Sequence, residues 1–457
     1  MTVEGRWWIF GRECEPHYGT LTFSPEEGLE LSVKIARART LAEVMSPSPE
    51  ALAANTTIYG ADSNDHPVSL FGCNPPGSSS SLGLLTLTYH PLCALLGSAA
   101  KSWHEPKFDH IKANFTLLTN WLNRPQVSIG HASKPFSVHV SDLDLIEIVL
   151  SEDVKCTLRP AISYQDHYGG MELEQSHQVE FQFREPQPLW RMMTEYVLVF
   201  RRMLTLFTGT PIFTERIHFD ERKAETTDTV TFLQPSSGIS EAKRDPPHFN
   251  MRLSFSDIQD QFPTIVQNWY RLHEQLKDAL NLYFATVFNK GLYDNQQFLF
   301  LAQALEVYHR GNTNFTGYAQ SKEEFKARKK RILEAVPDEK EWLIEKLAHA
   351  NEKTLADRLT DLLEARRNAA SRFIKDPAMW AQTIRNTRNH FTHYSTAEKK
   401  LDPVAKGSDL IRLIKEMEAL LEICIFSDLG VSNSPIDRVI NRLGRFHCFS
   451  LDDLPSE

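Results

Sequence analysis

DPAMWAQTIRNTRNHFTHY, residues 376–394, is the stretch on which the carboxy-terminal half turns. Asp376 before Pro377 is a helix start. An aspartate side chain can accept from the first free backbone N–H groups, and proline is pre-set for the first helical position. Met379, Trp380, Ile384 and Phe391 recur at helical spacing and predict one core-facing side. The rest is unusually polar. Arg385, Asn389 and His393 fall at i, i+4 and i+8, on one ridge, and Arg388 lies about 100° round from Asn389, close enough to reach the same spot.

Helical signals continue on both sides of this stretch. Phe298, Leu301, Leu305 and Tyr308 follow one helix face; Ser321 with Glu324, and Asp338 with Glu341, have capping-box spacing. Leu355, Leu359, Leu362 and Leu363 mark a further helix. Leu410, Ile414, Met417, Leu421 and Cys424 line a final long one. About six helices with short links make an α-helical bundle.

Upstream the period changes from helix to strand. Val179, Phe181 and Phe183 alternate with Glu180, Gln182 and Arg184, the pattern of a half-buried strand. Residues 19–23, 28–35, 57–60, 68–72, 84–89, 136–140 and 145–150 read as further strands, divided by turn formers such as Asn74-Pro75-Pro76-Gly77. Helices are expected at 116–122 and 189–207, the second stopped by Gly209. Residues 226–248 read as loop with one short strand. The expectation is an α+β multidomain chain: a β-rich, sandwich-like domain over 1–255, then an all-α domain over 256–457.

Length and composition agree with two domains, since 457 residues exceed what one core usually serves. The formal charge of −9 argues against a surface built for bulk nucleic-acid binding and leaves room for a local basic site. Cys14, Cys73, Cys93, Cys156, Cys424 and Cys448 form no CxxC pair, which fits reduced thiols in a cytoplasmic protein better than a disulfide framework. Cys14 with His17, and His447 with Cys448, lack a second half at zinc-finger spacing, and no HxxxH or carboxylate–histidine set stands out, so no metal or other cofactor is expected. The apolar run 189–207 is broken by Arg191, Glu195, Arg201 and Arg202, which predicts a buried helix rather than a membrane span. The N-x-T triplets at Asn55, Asn114 and Asn314 mean little without a secretion signal.

Arginine followed by histidine five positions on occurs at Arg12/His17, Arg385/His390, Arg388/His393 and Arg442/His447. Only the central two lie on a well-capped predicted helix and place Asn directly after Arg. From residue 366 to 400 eight basic side chains face only Asp376 and Glu398, a local excess of positive charge in an acidic chain. Such a spot attracts phosphate locally.

Thr387-Arg388-Asn389-x-x-x-His393-Tyr394 resembles the Arg-Asn-x-x-x-His signature of HEPN ribonucleases, most closely the ApeA-like branch. Residues 298–310 resemble an earlier helix of that branch. Gly5-Arg-Trp-Trp-Ile-Phe-Gly11, with 19–23 and 28–31, resembles the ApeA amino-terminal domain. The doubled motif is a departure, and the Thr-His-Tyr ending favours Arg388 and His393. The resemblance implies an endoribonuclease toxin of bacterial anti-phage defence (abortive infection), acting on RNA, with tRNA a candidate substrate, and leaving 2′,3′-cyclic phosphate and 5′-hydroxyl ends. It also implies a homodimer through the helical domain.

The residue types suit that chemistry. A histidine titrates near neutrality and can serve as acid or base, and an arginine offers planar donors to a phosphorane. His393 is assigned as acid/base and Arg388 as phosphate stabiliser, with Asn389 orienting the imidazole or bonding a phosphate oxygen. Arg385, His390, Tyr394 and Glu306 are candidate substrate contacts. Their plainer readings are a surface cation, a solvent-facing histidine, a core tyrosine and a helix salt-bridge partner. The β-rich half would sense a trigger, such as a phage protein, or restrain the site. The competing function is a HEPN-like module that binds nucleic acid or protein without cutting.

Overall fold

The computed structural model describes residues 1–9, 16–36, 56–74, 77–81, 84–130, 137–168, 170–222, 227–235, 251–393 and 403–447. The chain divides into two compact units, Met1–Ser256 and Asp257–Glu457.

In the first unit fourteen described strands join in one hydrogen-bonded order. From one edge it runs Ile146–Ser151, Val154–His167, Gly170–Pro188, Lys107–Phe115, Thr214–Arg222, Thr227–Leu233, Cys93–Leu96 and Pro67–Cys73. It continues through Thr56–Asp62, Thr2–Ile9, His17–Ser24, Gly28–Ala36, Leu84–Tyr89 and Gly77–Ser81. The pairings are antiparallel throughout, and Val127–Gly130 with Ser137–Val140 forms a separate pair. Period-two alternation explains which face is dry: Val179, Phe181 and Phe183 are buried. Against them packs the helix Leu198–Thr208, whose Phe200 ring lies 5.6 Å from Phe115 and 6.2 Å, edge-on, from Phe181. The segment read as one helix over 189–207 contains a π-helical turn at Met192–Val197, and Gly209 ends it in the left-handed conformation (φ 68°) that a Cβ would disfavour.

The second unit is helical, so the chain is the β-rich domain followed by helices that the periodicities predict. Its longer helices are α1 (Phe262–Gln275), α2 (Lys277–Phe288), α3 (Asp294–Gly311), α4 (Lys322–Ala335), α5 (Lys340–Lys346), α6 (Leu355–Ala365), α7 (Pro377–His393), α8 (Ser408–Asp428) and α9 (Asn433–His447). The expectation of about six helices was too low: it counts α3 to α8 and leaves out α1, α2 and α9. Nor is α8 the last helix: α9 follows. Ser321 and Glu324 form the expected reciprocal cap, but Asp338 does not start a helix, because Pro337–Glu339 takes a 3₁₀ turn first.

The unit is centred on α3 and α8. Phe298, Leu301, Leu305 and Tyr308 are fully buried on α3, which packs against α2, α7 and α8. Burying each such side chain stabilises by about 1.5–3 kcal/mol. Tyr283 donates from α2 to the buried Glu422 carboxylate of α8 at 2.7 Å. Asp428, at the end of α8, accepts from Arg366 (2.8 Å), Asn312 (2.6 Å) and Tyr308. The described cysteines Cys73, Cys93, Cys156 and Cys424 are buried free thiols, with Cys73, Cys93 and Cys424 pushed up by burial to a pKa of about 12. Cys14 and Cys448 lie outside the described residues. Among the described residues no helix is long and apolar enough to cross a membrane.

Candidate active site

Helix α7 begins as its sequence predicts: the Asp376 carboxylate accepts from the Met379 backbone N–H at 3.0 Å, ahead of Pro377. Trp380, Ala381 and Ile384 bury one side, while Met379, expected to face the core with them, is exposed. Two contacts then fix the helix lengthwise. Thr387 is completely buried, and its hydroxyl oxygen accepts from the Ala405 N–H at 3.0 Å, tying α7 to the segment that leads into α8. Phe391 meets the buried Phe298 ring of α3 edge-on, with centroids 5.7 Å apart.

With that side anchored, the polar residues are presented outward. Arg385 and Arg388 are half-buried and Asn389 is exposed. Arg388 Nη1 lies 3.4 Å from Asn389 Oδ1, and Arg385 reaches Asn386 Oδ1 through Nε and Nη2 at 3.4 and 3.3 Å. Neither guanidinium forms an ion pair among the described residues. Two cations that have found only neutral amides keep their charge available for an anion. His390 is half-buried with its ring 5.6 Å from that of Phe391. His393 is the last residue of α7, and Tyr394 lies outside the described residues. Positions 388 and 393, five apart, sit about 140° from each other around one helix.

Glu306 is placed differently. It lies on α3 about 12 Å along the axis from Phe298, the residue that touches α7, and pairs with Arg310 one turn on at 2.8 Å. Its charge also bears on Arg358, part of a buried network that sequence spacing did not reveal. His309 is buried, with Nε2 at 2.7 Å from Asp361, while Arg358 Nη1 approaches its Nδ1 at 3.2 Å. Lys353 completes the group by donating to Asp361 at 2.6 Å. Burial lowers the His309 pKa against the opposing pull of Asp361. A neutral ring accepting from Arg358 and donating to Asp361 satisfies every member, so this network is spent on joining α3 to α6. Among the described residues no group of three or more His, Cys, Asp or Glu side chains is gathered as a metal ion would require.

A large antiparallel sheet followed in the chain by an all-α unit, with two arginines on a capped helix that form no ion pair among the described residues, is the order of elements expected of a HEPN protein with an added amino-terminal domain. Residues 299–435 match the Apea-like HEPN family and residues 2–269 match ApeA N-terminal domain 1. The second match covers more than half the chain, and the chain belongs to the ApeA family. HEPN domains are generally nuclease-like, often act on RNA and often dimerise. No curated protein and no solved structure matches the chain.

Proposed function

We propose that the chain is a metal-independent endoribonuclease and a toxin of anti-phage defence, with Arg388, Asn389 and His393 of α7 as its catalytic group. The observation that carries this reading is a pair of guanidiniums, Arg385 and Arg388, without carboxylate partners among the described residues, on a helix whose other side is locked in the core. In a chain of net charge −9 such cations mark a place for a phosphate. The 2′-oxygen of the RNA attacks phosphorus, the bond to the 5′-oxygen breaks, and the products are a 2′,3′-cyclic phosphate and a 5′-hydroxyl. The internal nucleophile removes the need for a metal-activated water. His393 takes the proton from the 2′-hydroxyl or gives one to the leaving oxygen, and Arg388 holds the phosphorane as its charge grows. Two protomers contribute their α7 helices to one cleft. Arg385, His390 and Tyr394 flank it as substrate contacts, and Glu306, already paired with Arg310, balances charge at a distance.

The division of labour follows the two units: residues 1–255 sense a trigger of phage origin and 256–457 cut, with tRNA among the candidate substrates. Sequencing RNA ends from cells expressing the wild type beside His393→Ala tests the reading. Cyclic-phosphate and 5′-hydroxyl ends should accumulate only with the wild type, and purified protein should cut in EDTA. Loss of cutting in EDTA, or ends of the opposite chemistry, would refute the mechanism.

A further inference from the structure

Beside the start of α7 lies a cleft of about 500 Å³ that the cutting reaction does not use. Met379, Trp380 and Thr383 of α7 form one wall, Arg412 and Glu416 of α8 the other, and Val404 part of the floor. Glu416 is only 6% exposed. Its Oε2 accepts from Trp380 Nε1 at 2.8 Å, while the nearest cation to Oε1, Arg412 Nε, stands 3.8 Å off. No described residue donates a hydrogen bond to Oε1. Burial raises the Glu416 pKa to about 7, with the Trp380 N–H and Arg412 pulling the other way. A carboxylate accepts and cannot donate when ionised, so a buried one left half-satisfied at the wall of an open cleft calls for N–H donors.

The rim carries both signs. Asp376 is engaged as the cap of α7 and Asp409 is shared with the half-exposed Arg412 at 3.1 Å, while Lys375 forms no ion pair among the described residues and is the cation left for an anion. A fitting ligand therefore carries N–H donors at one end, a flat apolar body and an anion at the other. Among RNA bases guanine alone has two adjacent N–H donors on its Watson–Crick edge. Adenine and cytosine would turn a ring acceptor towards the carboxylate, and uracil has one donor between two carbonyls. Met379 and Thr383, which line the cleft, share one side of α7 with Asn386 and His390. About 10 Å of helix rise separates Thr383 from His390.

We propose that this cleft is a guanine-reading subsite: Glu416 accepts from N1–H and N2–H of an unpaired guanosine, and Lys375 and Arg412 lie beside its phosphate. The proposal deepens the ribonuclease reading by giving it a base preference near the cut, and single-stranded RNA is commonly read in this way. Recognition requires an ionised Glu416. Facing it are Lys375, Asp376 and the Trp380 N–H from the α7 side and Asp409 and Arg412 from α8. The segment 403–405 adds no charge. Selectivity for guanine therefore rises between pH 6 and pH 8.

Titration calorimetry of full-length wild type with guanosine, adenosine, cytidine and uridine 3′-monophosphates tests this without any cutting. Guanosine 3′-monophosphate should bind at least about tenfold more tightly than the others at pH 8, with a smaller margin at pH 6. Glu416→Gln, which keeps the acceptor for Trp380, should erase the margin. Val404→Phe, which fills the floor, should weaken all four. Equal binding of the four at pH 8, or a preference that survives in folded Glu416→Gln, overturns the subsite. Cutting without any guanine preference leaves the nuclease and removes the subsite. Guanine-selective binding by a protein that cuts nothing leaves the subsite and removes the nuclease.

Discussion

On the strand Lys107–Phe115, His110 and Lys112 both reach Asp220, at 2.7 and 2.8 Å, and from two strands away Arg159 clamps Glu180 at 2.8 Å. On α7, Arg385 and Arg388 reach only asparagine side chains among the described residues. Both regions would attract attention as clusters of ionisable groups. In the β-rich unit the charges form a row across four neighbouring strands, and each has a partner. Burial raises the Glu180 carboxyl, but His110 and Arg159 outweigh it and hold its pKa near about 2, while the bond to Glu180 raises that of His110. Such perturbed values arise from structural ion pairs as readily as from active sites. The lesson is that satisfied charge holds a fold together, while charge left unsatisfied on a rigid element is available for a ligand.

Substitutions in the two regions should sharpen that contrast. Arg388→Ala should slow RNA cleavage by about 10²–10³-fold with the fold intact, as loss of a transition-state donor does. Glu180→Gln should leave the cleavage rate unchanged and lower the melting temperature. Equal effects on cutting would erase the distinction. Arg385→Ala and His390→Ala should each cost about tenfold or less, because neither belongs to the assigned pair. If they outrank Arg388→Ala, the upstream copy of the motif is the working one.

Stability separates the regions again. Thr387→Val keeps the shape of the buried side chain but leaves the Ala405 N–H without its acceptor, at a cost of about 1–3 kcal/mol, readable by denaturant unfolding. The smallest effect is in pH dependence. Glu180 has a folded pKa below its unfolded one, so its contribution is present above about pH 4.5 and is lost as pH falls towards 2. His110 has a folded pKa above its unfolded one, so its contribution is complete below about pH 6.5 and is lost as pH rises through the folded value. The melting temperature should therefore fall on the alkaline side, and His110→Gln should flatten that slope. An unchanged slope would show that the row does not titrate as its geometry implies.

Local signals were legible in the sequence and distant pairings were not. Asp376-Pro377, the Ser321 cap and the Phe298–Tyr308 ridge each lie within a few residues, and each forms the element expected. The strand Cys93–Leu96 escaped notice because it has four residues without alternation, yet it bridges Pro67–Cys73 and Thr227–Leu233 in the sheet. Val154, Cys156 and Leu158 do alternate and are buried, but only over the first part of a strand that continues, exposed, to His167. The cleft at Glu416 depends on Trp380, 36 positions away, and the His309 network on Asp361, 52 away. No local period records such meetings. The Arg388–His393 motif was legible as a pattern, while the lack of a carboxylate partner for Arg388 among the described residues is a property of the fold.

The most direct test of the central claim is the single-turnover cleavage rate of a purified RNA substrate by wild type and His393→Ala, with circular dichroism and melting curves as the check on folding. The account predicts a loss of about 10²–10⁴-fold in the variant with native folding retained. It also predicts no cutting by wild type of the same RNA carrying one 2′-deoxy sugar at the cut position. A folded His393→Ala protein that cuts at the wild-type rate, or a wild type that cuts the 2′-deoxy substrate, would contradict it.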